Sequence, residues 1–123
     1  MIKKNYKGRC ERVTLSKSSS VCRFYNKIQA AYADVLEQND VIVEFHCNMP
    51  LDGPEYEDYT SDFVCKKKDG TLRVRECVFR KYLTKPGTAK LLEMSRQYWF
   101  VKRGVEDWGI VVDKKKDGEG NES

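Results

Sequence analysis

An Asp-Gly pair at residues 69–70 separates two β-rich runs, residues 59–67 and 71–79. Asp-Gly between such runs is a strong signal for a tight β-hairpin, because glycine readily adopts the positive φ that the turn needs. The two strands of a hairpin are neighbours in one sheet, so side chains that oppose each other become close. This predicted hairpin constrains the fold more than any other feature of the chain.

The chain before the hairpin contains a helical pattern and then a strand pattern. A serine run at 18–20 predicts a helix cap, followed by an amphipathic helix over 21–38. Residues 41–48, VIVEFHCN, predict the first strand. Residues 49–58 contain two prolines and a glycine, and they predict a loop.

After the hairpin, the sequence TKPGT at 84–88 breaks the chain before a second helix over 89–103, with Gly104 as its C-cap. A short last strand is predicted at 108–112. This strand follows a helix, so it joins the sheet through a crossover connection. The expected fold class is α/β: a mixed central sheet flanked by helices, in the order helix-strand-strand-strand-helix-strand.

Length and composition predict the domain organisation. A chain of 123 residues forms one domain with a single modest core. We expect a basic N-terminal arm of weak order over 1–17, a folded domain over 18–113 and a disordered charged tail over 114–123, which has no apolar residue.

The chain shows no sign of secretion or membrane insertion. Its N-terminus is polar, and no apolar run is long enough to span a bilayer. Its five cysteines are odd in number and lack a CxxC spacing, which argues against a disulfide framework or a zinc site. We therefore expect a cytoplasmic protein with reduced cysteines and no membrane partner.

Positive charge is concentrated in two blocks. Residues 1–25 carry seven lysines and arginines against one glutamate, and residues 64–103 carry twelve against three acidic residues. Basic blocks on both sides of a site are typical of polyanion binding, so we expect DNA as a partner. The candidate DNA-binding residues are Lys3, Lys4, Lys7, Arg9, Arg12, Lys66, Lys67, Lys68, Arg80 and Lys81.

The predicted hairpin also brings two carboxylates together. Asp62 on one strand and Glu76 on the next are expected to share a face of the sheet. Two such carboxylates can ligate a divalent metal through oxygen, as in metal-dependent phosphodiesterases. They can equally form ion pairs with Arg73, Arg75 or Arg80, and the local sequence does not separate these two interpretations.

Residues 26–113 resemble the N-terminal nuclease domain of TnsA, the endonuclease subunit of heteromeric transposases, and its phage and mobile-element relatives. The matching pieces are AYADVLEQND before VIVEF, then MPL, YTSDF, VREC and KLLEMSRQYWFVKRGVEDWGIVVDK. They cover about seven tenths of the chain and stand in the family's order. The resemblance implies a single small restriction-endonuclease-like domain of the PD-(D/E)XK superfamily.

This resemblance also implies four catalytic positions: a helix acid, an Asp, a Glu or Gln, and a Lys two residues later. Asp62 and Glu76 match the second and third positions, but Gln29 replaces the helix acid and Val78 replaces the lysine. Gln29 brings no negative charge, which lowers metal affinity. Val78 can neither activate water nor stabilise charge on a phosphate.

Two functions are compatible with this degenerate pattern. The leading interpretation is a DNA endonuclease that uses Mg²⁺ or Mn²⁺, held by Asp62, Glu76 and the Cys77 carbonyl, with Gln29 in the outer shell and Lys90 replacing the lost lysine. The alternative is an inactive nuclease-fold module that binds DNA or a partner complex, such as a transposase subunit, a phage assembly or a defence system that it inhibits.

Overall fold

The structure, a computed structural model, describes residues 11–18, 21–56 and 59–113. The elements in chain order are β1 (Glu11–Val13), β2 (Cys22–Phe24), α1 (Lys27–Gln38), β3 (Ile42–Pro50), β4 (Thr60–Lys67), β5 (Leu72–Cys77), α2 (Pro86–Arg103) and β6 (Asp107–Val111). Two single-turn 3₁₀ helices, Pro54–Tyr56 and Arg80–Tyr82, lie in the connections.

Strands β3 to β6 form one mixed sheet in the order β3-β4-β5-β6. The first three strands are antiparallel, and β6 pairs with β5 in parallel after the crossover through α2. Gly70 has a φ of 89° in the β4–β5 turn, and the Asp69 side chain accepts the Thr71 amide at 2.9 Å. The predicted hairpin, the predicted α/β class and the predicted element order from α1 onward are confirmed, and β1 and β2 precede them.

An apolar cluster lies on each face of the sheet, because successive residues of β4 point to opposite sides. The α1-side cluster contains Cys22, Phe24, Ile28, Ala33, Leu36, Ile42, Phe45, Phe63, Cys65 and Cys77. The α2-side cluster contains Leu51, Tyr59, Val64, Val74, Tyr98, Trp99 and Val105. The sheet is therefore the middle of three layers, with α1 and α2 on opposite faces.

The first helix begins later than the sequence predicted. Its N-cap is Asn26, whose side chain accepts the Gln29 amide at 3.0 Å, and not the serine run. Residues 22–24, expected in the helix, form β2 because Cys22 and Phe24 alternate into the α1-side cluster. A three-residue strand with period-two burial is difficult to distinguish from a helix start by sequence alone.

The second helix ends where the sequence predicted and begins earlier. Gly104 has a φ of 67° and its amide donates to the Phe100 carbonyl, which makes it the C-cap. Pro86 opens the helix, since proline at the first position costs no hydrogen bond. Among the residues that the structure describes, no helix combines the length and apolar character that a bilayer crossing requires.

Residues 11–18 pack on the domain, whereas the sequence analysis assigned residues up to 17 to a weakly ordered arm. β1 pairs with β2, and the Lys17 carbonyl accepts the Phe45 amide at 2.9 Å. The Lys17 ammonium also donates to the Leu36 and Asn39 carbonyls at the end of α1, where the helix dipole favours a cation. The rest of the expected arm and the expected tail lie outside the described residues.

Candidate functional site at the end of the β4–β5 ladder

The two predicted carboxylates lie where regular pairing of β4 with β5 stops. The last paired residues are Phe63 and Arg75. Beyond them, the Asp62 amide donates to Glu76 Oε1 at 3.1 Å, and the Cys77 amide donates to Asp62 Oδ2 at 2.6 Å. Each carboxylate thus accepts a main-chain amide from the opposite strand, so side-chain oxygens continue the ladder in place of carbonyls.

Asp62 is joined to α1 through Gln29. The Gln29 Nε2 amide donates to Asp62 Oδ1 at 2.8 Å, and both side chains are only 1% exposed. Gln29 Oε1 accepts the Tyr25 amide at 2.7 Å. Because a main-chain N–H must meet an oxygen, this second bond fixes the amide orientation and turns the Gln29 NH₂ group toward Asp62.

Glu76 is joined to α2 through two hydroxyls. Its Oε2 accepts hydrogen bonds from Ser61 at 2.7 Å and from Ser95 of α2 at 2.6 Å. The hydroxyl of Ser61 accepts the Trp99 indole N–H at 2.9 Å, and that of Ser95 accepts the Trp108 indole N–H at 3.1 Å. One buried carboxylate thereby connects β4, β5, β6 and α2 in a single polar network, which rigidifies a core when every member is satisfied.

The expectation that Asp62 and Glu76 share one face is wrong for their carboxylates. Asp62 is bonded to α1, although Val64, two residues further along β4, packs on the α2 side. Glu76 is bonded to Ser95 on α2. The two carboxylates therefore take side-chain partners from helices on opposite faces of the sheet.

A break in strand alternation accompanies this arrangement. Phe63 lies in the α1-side cluster, but Ser61, two residues before it, bonds to a tryptophan of α2. On the neighbouring strand, Cys47 packs against the α1-side cluster and Met49 against the α2-side cluster, and the residue between them, Asn48, has a φ of 54°. The alternation of side chains between the two faces of the sheet thus changes at paired positions of β3 and β4. A strict alternation with period two does not predict this change.

The oxygens of the two carboxylates are engaged in hydrogen bonds with the protein itself. Every oxygen of the two carboxylates accepts at least one hydrogen bond from a protein donor, as described above. The group that Gln29 turns toward Asp62 is an NH₂ donor, which cannot ligate a metal, and Cys77 contributes its amide to Asp62. Within the described ranges, no three His, Cys, Asp or Glu side chains form a group that could hold a metal ion.

The proposed substitutes for the missing lysine lie elsewhere. Lys90 is exposed on α2, and its position five residues before Ser95 places it about 140° around the helix from the Glu76 contact. Strand β5 ends at Cys77, one residue before Val78, and Arg80 lies in the 3₁₀ helix that follows. Val78 is buried at 8% exposure, and Arg80 donates from its main-chain amide and Nε to Asp113.

Arg73 and Arg75, the other partners considered for the carboxylates, bind Asp107 of β6. Arg73 Nε lies 3.0 Å from Asp107 Oδ2, and Arg75 Nη2 lies 2.7 Å from Oδ1. The Lys67 ammonium joins them at 3.0 Å, so this predicted DNA-binding residue is in a structural ion-pair cluster. Burial raises the pKa of Asp107, but hydrogen bonds from the three cations outweigh it and hold that pKa well below its ordinary value.

Sequence reasoning did not find the two serines or Asp107. The usable signal for Ser95 is its position four residues before Trp99 on the buried stripe of α2, where a hydroxyl needs a partner. Ser61 directly precedes Asp62 and gives no such signal. Asp107 is separated from Arg73 by 34 residues, so only the parallel pairing of β6 with β5 brings them together.

The remaining candidate DNA-binding residues that the structure describes lie in three separate segments. Lys3, Lys4, Lys7 and Arg9 lie outside the described residues. Arg12 is exposed on β1, and Lys66 and Lys68 are exposed at the β4–β5 turn. Lys81 is exposed in the 3₁₀ helix that precedes α2.

Lys81 belongs to a basic surface at the start of α2 that the sequence analysis identified only in part. The ring of Tyr82, which is 39% exposed, has the Lys81 ammonium 5.2 Å and the Lys85 ammonium 5.3 Å from its centroid. Lys85 is the N-cap residue of α2 and makes no side-chain capping bond. The positive end of the helix dipole therefore adds to the two lysines. We call Lys81, Tyr82 and Lys85 the basic platform.

No protein-family model matches the chain, and no curated protein matches its sequence.

Proposed function

We propose that this protein is a nuclease-fold module that binds DNA and does not cleave it. The order α1-β3-β4-β5-α2-β6 is the order that the resemblance to TnsA-type nuclease domains implies. Of the two degenerate positions, Gln29 contacts Asp62, and Val78 follows Glu76 by two residues in the sequence. In such a module, the nuclease fold carries a polyanion-binding surface, and the buried carboxylates of Asp62 and Glu76 contribute to stability.

The absence of cleavage is supported by the contacts of Asp62 and Glu76. A catalytic carboxylate exchanges metal or water ligands during the reaction, whereas these oxygens accept hydrogen bonds from amides and hydroxyls of the protein. Displacing those bonds leaves buried donors unsatisfied, which costs roughly 1–3 kcal/mol for each group. The network is thus better suited to hold four elements together than to change ligands during catalysis.

The observation that carries DNA binding is the basic platform. Two lysine ammonium groups lie beside the Tyr82 ring. The ring also makes an edge contact with Phe79, at 6.2 Å between centroids. The cation–π contacts restrict the lysines and so lower the entropy that phosphate binding would cost. Residues 79–92 contain four basic residues and no acidic one, so no neighbour in the sequence neutralises the platform.

A binding experiment tests the platform with a matched control. Fluorescence anisotropy of a short duplex and of a single strand, at low and at physiological salt, gives the affinity and the salt slope. We expect the variant Lys81→Ala with Lys85→Ala to bind about 10-fold more weakly or worse and to lower the salt slope by about two. The control, Lys66→Ala with Lys68→Ala, removes the same charge from the β4–β5 turn and is expected to bind nearly as well as wild type.

A cleavage assay tests the other part of the proposal. Supercoiled plasmid incubated with Mg²⁺ or Mn²⁺ is expected to remain uncut by the wild-type protein. Nicking that Asp62→Ala abolishes would establish the endonuclease instead. If the protein binds neither form of DNA at low salt, a binding role toward a protein complex replaces the one proposed.

A further inference from the structure

Two cysteines from different strands meet at the edge of the α1-side cluster. Cys22 of β2 is 1% exposed, and Cys47 of β3 is partly exposed. Their sulfur atoms lie 2.7 Å apart, with the Cys47 thiol donating to Cys22 Sγ. This separation is about 0.7 Å longer than a disulfide bond, so only a small movement is needed to join the two atoms.

The thiols of the pair differ from those around them. The hydrogen bond from Cys47 outweighs the effect of burial and lowers the pKa of Cys22 to about 7, with a smaller contribution from Ser18. The same bond and burial raise the pKa of Cys47. Burial raises the pKa of Cys65 to about 12, so that neighbouring thiol is a poor nucleophile.

We propose that Cys22 and Cys47 are a redox-active pair that hydrogen peroxide converts to a reversible disulfide. The Cys22 thiolate attacks one peroxide oxygen, the O–O bond breaks, and hydroxide leaves with a sulfenic acid formed on Cys22. The Cys47 sulfur then attacks Cys22 Sγ, the S–O bond breaks and the S–S bond forms. The hydroxide released in this step takes the Cys47 proton, and the hydroxide from the first step takes the proton that Cys22 lost on ionisation, so two thiols and one peroxide yield one disulfide and two waters. A dithiol such as dithiothreitol reverses the reaction by exchange.

The bond would secure a junction that the fold already uses. Beside the two cysteines, the Asn48 side-chain amide donates to the Arg23 carbonyl at 2.8 Å, which also joins β2 to β3. Oxidation adds a covalent link that closes a loop between positions 25 apart in sequence. Closing such a loop restricts the unfolded chain, and we expect a thermal midpoint higher by on the order of 10 °C.

The test uses the full wild-type chain, so it does not depend on any variant folding. The reduced protein is treated with stoichiometric hydrogen peroxide, and free thiols are then counted in denaturant. We expect the count to fall from five to three, the mass to fall by two hydrogens, and dithiothreitol to reverse both changes. Digestion with trypsin and a glutamate-specific protease separates Cys22, Cys47 and Cys65, since cleavage sites follow Arg23 and Glu55.

The expected cross-linked peptide joins Cys22 to Cys47, and its yield is expected to fall when the protein is oxidised in urea, where the native contact is lost. Cys22→Ser and Cys47→Ser are each expected to prevent the intramolecular link and the rise in thermal midpoint. A link between other cysteines, an intermolecular dimer as the main product, or five remaining thiols under conditions that oxidise the urea-treated chain would overturn the proposal.

Discussion

The Gln29 side-chain amide donates a hydrogen bond to Asp62 Oδ1 at 2.8 Å, and both residues are buried. Under the proposed resemblance to TnsA-type nuclease domains, the position of Gln29 corresponds to an acid. An amide at this position carries no charge, yet its NH₂ group donates a hydrogen bond to one oxygen of Asp62. The contact lowers the cost of burying the Asp62 carboxylate.

Replacing the Gln29 amide with a carboxylate makes its contact with Asp62 repulsive. In Gln29→Glu, two carboxylates would face each other at a buried point, so the pKa of one of them rises. We expect a loss of roughly 2–4 kcal/mol of unfolding free energy at neutral pH. The raised pKa means that the deficit of the variant relative to wild type is smallest in acid and grows as the pH rises, measured by urea denaturation between pH 4 and 8.

Manganese provides a second measurement on the same variant. We expect Mn²⁺ to raise the thermal midpoint of Gln29→Glu and to leave wild type unchanged, because only the variant offers a second carboxylate to an ion at Asp62. Gln38→Glu, exposed at the end of the same helix, is the control and is expected to show no metal effect. An equal Mn²⁺ shift in wild type would contradict the assignment of Asp62 as a structural group.

The network around Glu76 predicts that Ser95→Ala is destabilising. The change removes a donor to Glu76 and the acceptor of the Trp108 indole, and we expect a loss of about 2–3 kcal/mol. Urea denaturation followed by tryptophan fluorescence measures it and also reports the environment of Trp108. Lys90→Ala, exposed on the same helix, is expected to change stability by less than about 0.5 kcal/mol. A larger effect of Lys90 than of Ser95 would refute this description of α2.

The ion pairs of Asp107 predict that part of the unfolding free energy is lost in acid. Its folded pKa lies below the unfolded value of about 4, so its contribution is complete at neutral pH and disappears as the pH falls below that value. Asp107→Asn is expected to cost roughly 1–3 kcal/mol at pH 7, and the difference from wild type should shrink toward pH 3. Glu106→Gln, its exposed neighbour, is the control. A difference that stays constant with pH would show that charge at Asp107 is unimportant.

The left-handed backbone of Gly104 predicts that any side chain at this position destabilises the protein. A Cβ at position 104 meets no atom within 4 Å, so the cost of a side chain there comes from the positive φ of 67° alone. Gly104→Ala is expected to lose about 1–2 kcal/mol in thermal or urea denaturation. Gly104→Asn should lose less, because asparagine tolerates this conformation better, and the reverse order would point to a cause other than φ.

Local chemistry in the sequence determined the element order and the turns. Asp69-Gly70 and Gly104 act through their own backbone conformations, and the structure has both as predicted. The alternation of helical and strand patterns was enough to predict a mixed sheet with a crossover. Short elements were less predictable, since β2 and the Asn26 cap depend on packing against a sheet that forms far along the chain.

The tertiary structure alone decided what the site residues contact. The sequence placed Asp62 and Glu76 on adjacent strands, but the break in alternation at Ser61 and Phe63 sends their carboxylates to different helices. Gln29 meets Asp62 across 33 residues, and Ser95 meets Glu76 across 19. Such contacts depend on how strands and helices pack in three dimensions, and periodicity along one segment carries no information about them.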